Sequence, residues 1–373
     1  MRRTFIESSN MISALGWDTG ENLEAMLSGK EGILPCGDRS LSPADLPLSR
    51  LDWEGIGRRF GSEGEGKEYT RFEQLVILSV RDALERSRIN PPDGRTVLVL
   101  STTKGNVELL EDGGVFTGDR LHLWRSAEVI ARHFSMPARP VVVSNACISG
   151  VVGMLVARQL IMSGTFDHAI VAGADVVSRF VVSGFQSFLS LSDRPCRPFD
   201  RDRDGLTLGE AAGTVVISGA HGNIELVRGA TSNDANHISG PSRTGEGLLL
   251  AIREVLTGED EPGMISAHGT ATPFNDEMES IALSRAGLGH VPVNSLKGFI
   301  GHTLGAAGVV ETIMNLGAMQ RGLMLPTKGF SAMGVSRPVN VVDRVTEKRV
   351  ETMLKAASGF GGCNAAALFR TRA

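Results

Sequence analysis

Cys147 stands between a short β-branched run, residues 141–143 (VVV), and an apolar stretch of helical periodicity, 148–162, that ends at Ser163-Gly164. A thiol at a strand-to-helix turn meets the first unpaired N–H groups of the helix and the positive end of its dipole, which favour thiolate over thiol. Small neighbours, Ala146, Ser149 and Gly150, leave room for an acyl group to approach the sulfur. The chemistry this suits is nucleophilic attack on an acyl carbon, from an elbow that carries Cys in place of Ser. Four other segments look unlike ordinary loops. Residues 266–273 (SAHGTATP) follow a predicted strand and present His268, Thr270 and Thr272, with Asp276 and Glu279 entering the next helix. Residues 294–308 place Lys297 five positions before His302, which opens the helix of GHTLGAAG. Residues 359–364 read GFGGCN, and residues 197–210 run RPFDRDRDGLTLGE. A lone cysteine or histidine is ordinarily packing; several such segments on one chain change that balance.

The elements that must carry these residues follow from periodicity. Strands are expected at 4–12, 95–100, 168–172 and 214–218, and again at 224–228, 264–267, 349–357 and 365–370. Helices are expected at 20–28, 70–86, 121–134, 246–256, 275–286 and 306–321. Strands alternating with helices in both halves predict an α/β fold with helices covering sheet faces. The two halves are 1–220 and 221–373, parted near Gly219–Gly222. Residues 32–67, rich in Pro, Gly and charge, read as a surface excursion rather than core, and 185–204 as a second one.

Composition bounds the function. With 42% hydrophobic and 21% charged residues the chain is that of a soluble globular protein. A formal net charge of -4 and a pI near 6.1 give no reason to expect nucleic acid or a membrane surface as partner. The four cysteines, Cys36, Cys147, Cys196 and Cys363, form no C-x-x-C pair and suit a reducing cytosol rather than a disulfide framework or a zinc cluster. The N-terminal stretch lacks an apolar core of signal-peptide quality, and no run of 18 apolar residues predicts a membrane span.

In this order, the elbow cysteine, HGTATP, KxxxGHTLGAAG and GFGGCN resemble the β-ketoacyl-acyl-carrier-protein synthases of the thiolase superfamily, elongating branch. The resemblance implies a thiolase-like fold, two similar α/β halves stacked as a layered α-β-α-β-α sandwich. The first half carries the nucleophile; the second carries both histidines and the gating GFGG loop. It implies that Cys147 holds the growing chain as a thioester, and that the backbone N–H groups of Cys147 and Phe360 hold the oxyanion while neighbouring glycines, Gly361 among them, let the chain approach. His268 and His302 would donate to the enolate formed as malonyl thioester loses carbon dioxide. Lys297 would pair with Glu279 and support the site, and Thr270 and Thr272 would hydrogen-bond the pantetheine arm. No resident cofactor or metal is implied, because substrates arrive on the phosphopantetheine of acyl carrier protein. The partners implied are that carrier, docked by arginines such as Arg58, Arg59, Arg71 and Arg125, and a second subunit: a homodimer, or a heterodimer with a related ketosynthase-like chain. The cytoplasm is the expected location.

Alternatives are weighed on particular residues. A chain-length-factor-like partner would shape a pocket without catalysing, yet this chain keeps Cys147. A thiolase would carry a second Cys where His302 stands. GFGG mimics a dinucleotide turn, but nine residues follow Asn364, too few for an acidic ribose partner about 20 positions on. A metal site from Cys147, His268 and His302 lacks helical or hairpin ligand spacing. His237 reads as structural or gating, while His122, His133, His168, His221 and His290 carry no assignment. Departures from the family pattern are Ser358 where a gate Phe is common, Cys363 in place of Thr, a trimmed segment over 114–139, and Lys104 where an apolar pocket residue is usual. They point to a specialised primer: short, polar-ended or aryl-polyenoyl.

Overall fold

Ten of the eleven strands of the main sheet make two halves of one plan, the eleventh being the short edge strand Asn340–Val341, as seen in a computed structural model that describes residues 2–61, 68–112, 116, 118–257 and 261–372. The first five are β1 (Phe5–Ser13), β2 (Thr96–Ser101), β3 (Val141–Val143), β4 (His168–Asp175) and β5 (Ala211–Ser218). They lie in the order β1-β5-β4-β2-β3, with β5 antiparallel to both β1 and β4, and β2 parallel to both β4 and β3. The next five are β6 (Ile224–Asn233), β7 (Met264–Ser266), β8 (Pro292–Asn294), β9 (Thr352–Gly359) and β10 (Cys363–Thr371). Their order, β6-β10-β9-β7-β8, and their pairing senses repeat those of the first set. The two half-sheets join edge to edge where Phe5 meets Glu225 and Ile6 meets Ile224.

Both faces of these strands are apolar, so each sheet is covered twice. On β2, Val97 and Val99 join the core between the sheets, while Leu98 and Leu100 join an outer core. Six helices do the covering: α1 (Arg71–Glu85), α2 (Leu123–His133), α3 (Ser149–Met162), α4 (Glu246–Val255), α5 (Pro273–Arg285) and α6 (Ala307–Gln320). α3 and α6 are apolar nearly all round, as a helix buried on every side must be; they touch each other and both sheets, forming the central layer. α1 and α2 lie outside the first sheet, and α4 and α5 outside the second. The molecule is therefore the layered α-β-α-β-α arrangement. A Cβ placed on Gly150 would lie 2.7 Å from Val309 N, and one on Gly308 2.5 Å from Val151 N, so the two central helices meet backbone to backbone.

Residues 32–67 are not the surface excursion expected. Leu34–Cys36, Leu46–Ser49 and Leu208–Gly209 form a small sheet, and a helix spans Trp53–Phe60, capped by Asp52. Leu48, Leu51, Ile56 and Phe60 are buried. Pieces this short show no readable period, and their burial comes from packing on α1 and on the Leu208 strand. Residues 62–67, within the excursion, and 114, 115 and 117, within the trimmed segment, lie outside the described residues. The second excursion begins as a helix, Arg179–Ser187, that contains Phe185.

Candidate active site

The elbow is built as its sequence implies: β3 ends, three small residues turn, and α3 begins at Ser149. Ser149 Oγ donates to Ala146 O at 2.6 Å and accepts from Asn145 N at 2.8 Å, closing the turn. Ala146 is held at φ 44°, the left-handed region that costs a side chain energy, directly before the nucleophile. The same signature recurs beside each histidine, with Ala271 at φ 65° and Leu304 at φ 52°. Cys147 itself is 7% exposed.

Three distant segments converge there. Cys147 Sγ lies 3.0 Å from His302 Nε2, and the rings of His268 and His302 meet edge to face at 5.1 Å. One donor atom from each of the three lies within 4.8 Å of the others. Sequence spacing gave no hint of this clustering, because tertiary contact rather than helical register assembles it. Lys297 adds an ammonium against His268, which works against a cation and favours reading the set as a thiol–imidazole centre.

Burial sets the protonation states. It pushes the Cys147 thiol up to about 12, with Lys297 opposing, and holds both imidazoles well below their usual range, with Lys297 acting in the same direction. Burial thus runs against the helix-stabilised thiolate expected at this turn. A helix start contributes about 0.3–1 kcal/mol, less than one pKa unit, and desolvation outweighs it. The resting site is a neutral thiol beside neutral imidazoles, so the thiol loses its proton only as His302 takes it.

The partner expected for Lys297 is also corrected. Its Nζ donates to Glu311 Oε1 at 2.5 Å and to His268 O at 2.6 Å. Glu279 instead accepts the backbone N–H groups of His268 and Gly269, at 2.7 and 2.6 Å, and its carboxyl is pushed up to about 7 by burial. Asp276 does the same for Phe199 N and Ala271 N at 2.7 and 3.2 Å. These two acids clamp the His268 loop onto the start of α5. Two further charged groups, invisible to motif reading, complete the network: Glu311 on α6 and Lys355 on β9. Lys355 Nζ donates to Glu311 Oε2 at 2.6 Å, and burial lowers its pKa. A nine-residue spacing from His302 to Glu311 in GFIGHTLGAAGVVE carries no catalytic signature, and Lys355 sits in a strand of mostly small and apolar residues. A further buried acid, Asp175, accepts from Thr102 Oγ1, Thr103 N, Lys104 N and Gly305 N, and so ties the loop after β2 to the His302 loop.

A cavity of about 400 Å³ opens onto Cys147, His268 and His302. Thr270, Thr272, His237, Ser358 and Phe360 line it. The hydroxyls of Thr270 and Thr272 are 2.9 Å apart. Phe360 stacks on Phe185 at 5.6 Å and meets Phe188 edge-on at 5.2 Å. Gly359 packs against the elbow, a Cβ there lying 3.1 Å from Cys147 N. Gly361 is not in the cavity wall; it is exposed, at φ 84°, and bonds outward to Ile238 O. Ser358 Oγ donates to Asn364 Oδ1, holding the gate position with a hydrogen bond in place of a ring. Lys104 is half-buried and close enough to Cys147 to oppose the effect of burial on it.

The arginines expected to dock a carrier are otherwise engaged. Arg58 faces Asp52 and Glu54, Arg59 lies over Trp17, Arg71 lies over Trp53, and Arg125 pairs with Asp119 and Glu128. None lines the cavity, whose wall includes two strongly exposed apolar side chains: Phe274 is 76% and Leu189 91% exposed.

Two halves of one plan, with a cysteine elbow in the first and two histidines from the second, define the thiolase-like condensing enzymes. The chain belongs to the β-ketoacyl synthase family: residues 59–221 match "Beta-ketoacyl synthase, N-terminal domain" and residues 224–331 match "Beta-ketoacyl synthase, C-terminal domain". It is 28% identical to 3-oxoacyl-[acyl-carrier-protein] synthase 2 of Vibrio cholerae over 99% of both chains. It is 31% identical to the tetracenomycin polyketide synthase ketoacyl synthase alpha subunit of Streptomyces glaucescens over 85% of both. Among solved structures, the ishigamide ketosynthase/chain length factor matches all of this chain at TM-score 0.88 and 26% identity, covering 100% of that chain. The protein is thus an acyltransferase of decarboxylative Claisen condensation, serving fatty-acid or polyketide elongation. Among the described residues no helix is long and apolar enough to cross a membrane.

Proposed function

We propose that Cys147 is the acyl acceptor, that His268 and His302 stabilise the malonyl-derived enolate, and that the substrates come on acyl carrier protein. The carrying observation is the 3.0 Å contact of Sγ with His302 Nε2 inside a cavity shared with His268. On loading, the thiol proton passes to His302 Nε2 as the carbonyl carbon moves from one sulfur to the other, and the departing carrier thiolate takes a proton from solvent. The imidazoles then face the thioester oxygen of the incoming malonyl group. As the carboxylate leaves as carbon dioxide, negative charge grows on that oxygen, where the N–H of His268 and the Nε2–H that His302 gained on loading act most strongly in a dry cavity. The carbanion attacks the Cys147 thioester and expels the sulfur, which takes its proton back from His302, giving the 3-ketoacyl carrier. Thr270 and Thr272 suit the amides of the arm, and the scheme calls for no resident cofactor.

The primer proposed is short or polar-ended, on the strength of Lys104, half-buried and with its charge felt at Cys147, and of Ser358 in the cavity wall. The second subunit proposed is another copy, joined through β3, the outermost strand of its sheet. A related ketosynthase-like chain is the heteromeric variant of this arrangement; one solved structure of like fold is titled a ketosynthase in complex with its chain length factor, from Xenorhabdus doucetiae. The four unpaired cysteines suit the cytoplasm. A non-catalytic role is the weaker reading because the nucleophile and its imidazole are in contact. Intact-mass measurement after incubation with a panel of acyl carriers tests the proposal. A covalent acyl adduct on Cys147, absent from Cys147→Ala, is expected, and failure of every carrier to acylate Cys147 would overturn it.

A further inference from the structure

Lys355 is the buried charge of this site that the condensation scheme leaves without a task. It lies on β9, fully buried, and its Nζ donates to Glu311 Oε2 at 2.6 Å and to Ala267 O at 3.1 Å. The other oxygen of Glu311 accepts from Lys297 at 2.5 Å. One carboxylate is therefore divided between two ammoniums. Lys297 keeps donors for His268, reaching its carbonyl at 2.6 Å and its Nδ1 at 3.4 Å. An ammonium can only donate, so this contact leaves Nδ1 as acceptor and puts the imidazole proton on Nε2.

We propose that Lys355 is a positioning residue for malonyl decarboxylation: by holding one oxygen of Glu311, it prevents that carboxylate from closing on Lys297 with both, and so keeps Lys297 donating to His268. The inference rests on the condensing reading above. The charged and titratable groups facing His268 are Cys147 and His302 across the cavity, Lys297 with Glu311 and Lys355 behind it, and Glu279 and Asp276 from α5. Removing Lys355 takes away a cation without touching the reacting atoms.

The test separates two half-reactions. In Lys355→Met, acylation of Cys147, followed by intact mass, stays within about threefold of the unaltered protein. Release of carbon dioxide from malonyl carrier at pH 7 falls by roughly tenfold or more, the range expected when a proton-positioning contact is lost. With a cation gone, both His268 and His302 protonate more readily, and the acid limb of the decarboxylation profile moves up by about one pH unit. An equal fall in both half-reactions, or an acid limb that stays in place, overturns the inference. Lys355→Gln, which keeps a donor for Ala267 O but no charge, must show the same split and serves if the methionine variant does not fold. In the unaltered protein, nitrogen-15 shifts must show His268 protonated on Nε2; an Nδ1–H signal also overturns it. Absence of decarboxylation by the unaltered protein is a separate result, which removes the condensing reading itself.

Discussion

A neutral thiol 3.0 Å from a neutral imidazole makes the nucleophile conditional on its neighbour. Because burial pushes Cys147 up to about 12, its thiolate fraction rises tenfold per pH unit across the neutral range. Peptide-resolved alkylation by iodoacetamide is therefore expected to accelerate about tenfold per pH unit from pH 7 to 10. A plateau below pH 8 would show a thiolate already formed at rest. His302 serves both half-reactions, first as proton acceptor and then as enolate donor. His302→Ala should lower carbon dioxide release by about 10²-fold or more, a loss typical of a removed charge-stabilising donor; decarboxylation at the unaltered rate would remove His302 from the enolate step.

At the scale of elements, the site depends on how closely α3 and α6 approach, since one carries the elbow and the other follows His302. Two glycines of α6 distinguish contact from propensity. A methyl on Gly308 would lie 2.5 Å from Val151 N, whereas one on Gly317 meets nothing nearer than Leu23 at 3.5 Å. Gly308→Ala should destabilise by about 1–3 kcal/mol through overpacking. Gly317→Ala should be neutral or stabilise by up to about 1 kcal/mol through helix propensity. Denaturation midpoints of the two variants measure the contrast, and equal behaviour would show that the helices can slide apart. Nothing in the string GAAGVVETIMNLGAMQ separates these glycines; only the position of the facing helix does.

On the whole molecule, the carrier must sit at the cavity mouth for its arm to reach the thiol. Among the residues that line the cavity, Phe274 and Leu189 are strongly exposed. Apolar contact is little screened by salt, unlike charge steering. Phe274→Glu with Leu189→Glu should raise KM for malonyl carrier by about tenfold, the loss of a modest hot spot, while KM for a malonyl N-acetylcysteamine thioester stays unchanged. Unaltered KM for the carrier would place its docking elsewhere, and a steep salt dependence in the native protein would return the arginines to consideration.

Much was decided by the chain itself. The α/β alternation, the elbow at Cys147, the two histidines and the threonines all follow from local pattern, because strand period, helix period and loop motifs are properties of neighbouring residues. The partner of Lys297, the engagement of Lys355 and Asp175, the burial of residues such as Ile56 and Phe60, and the protonation of Cys147 do not. Each of these depends on which groups a fold of many long-range contacts brings against one another, and on how much water it removes from between them. A sequence can name the groups able to carry charge; desolvation and distance, which exist only in three dimensions, determine which of them do.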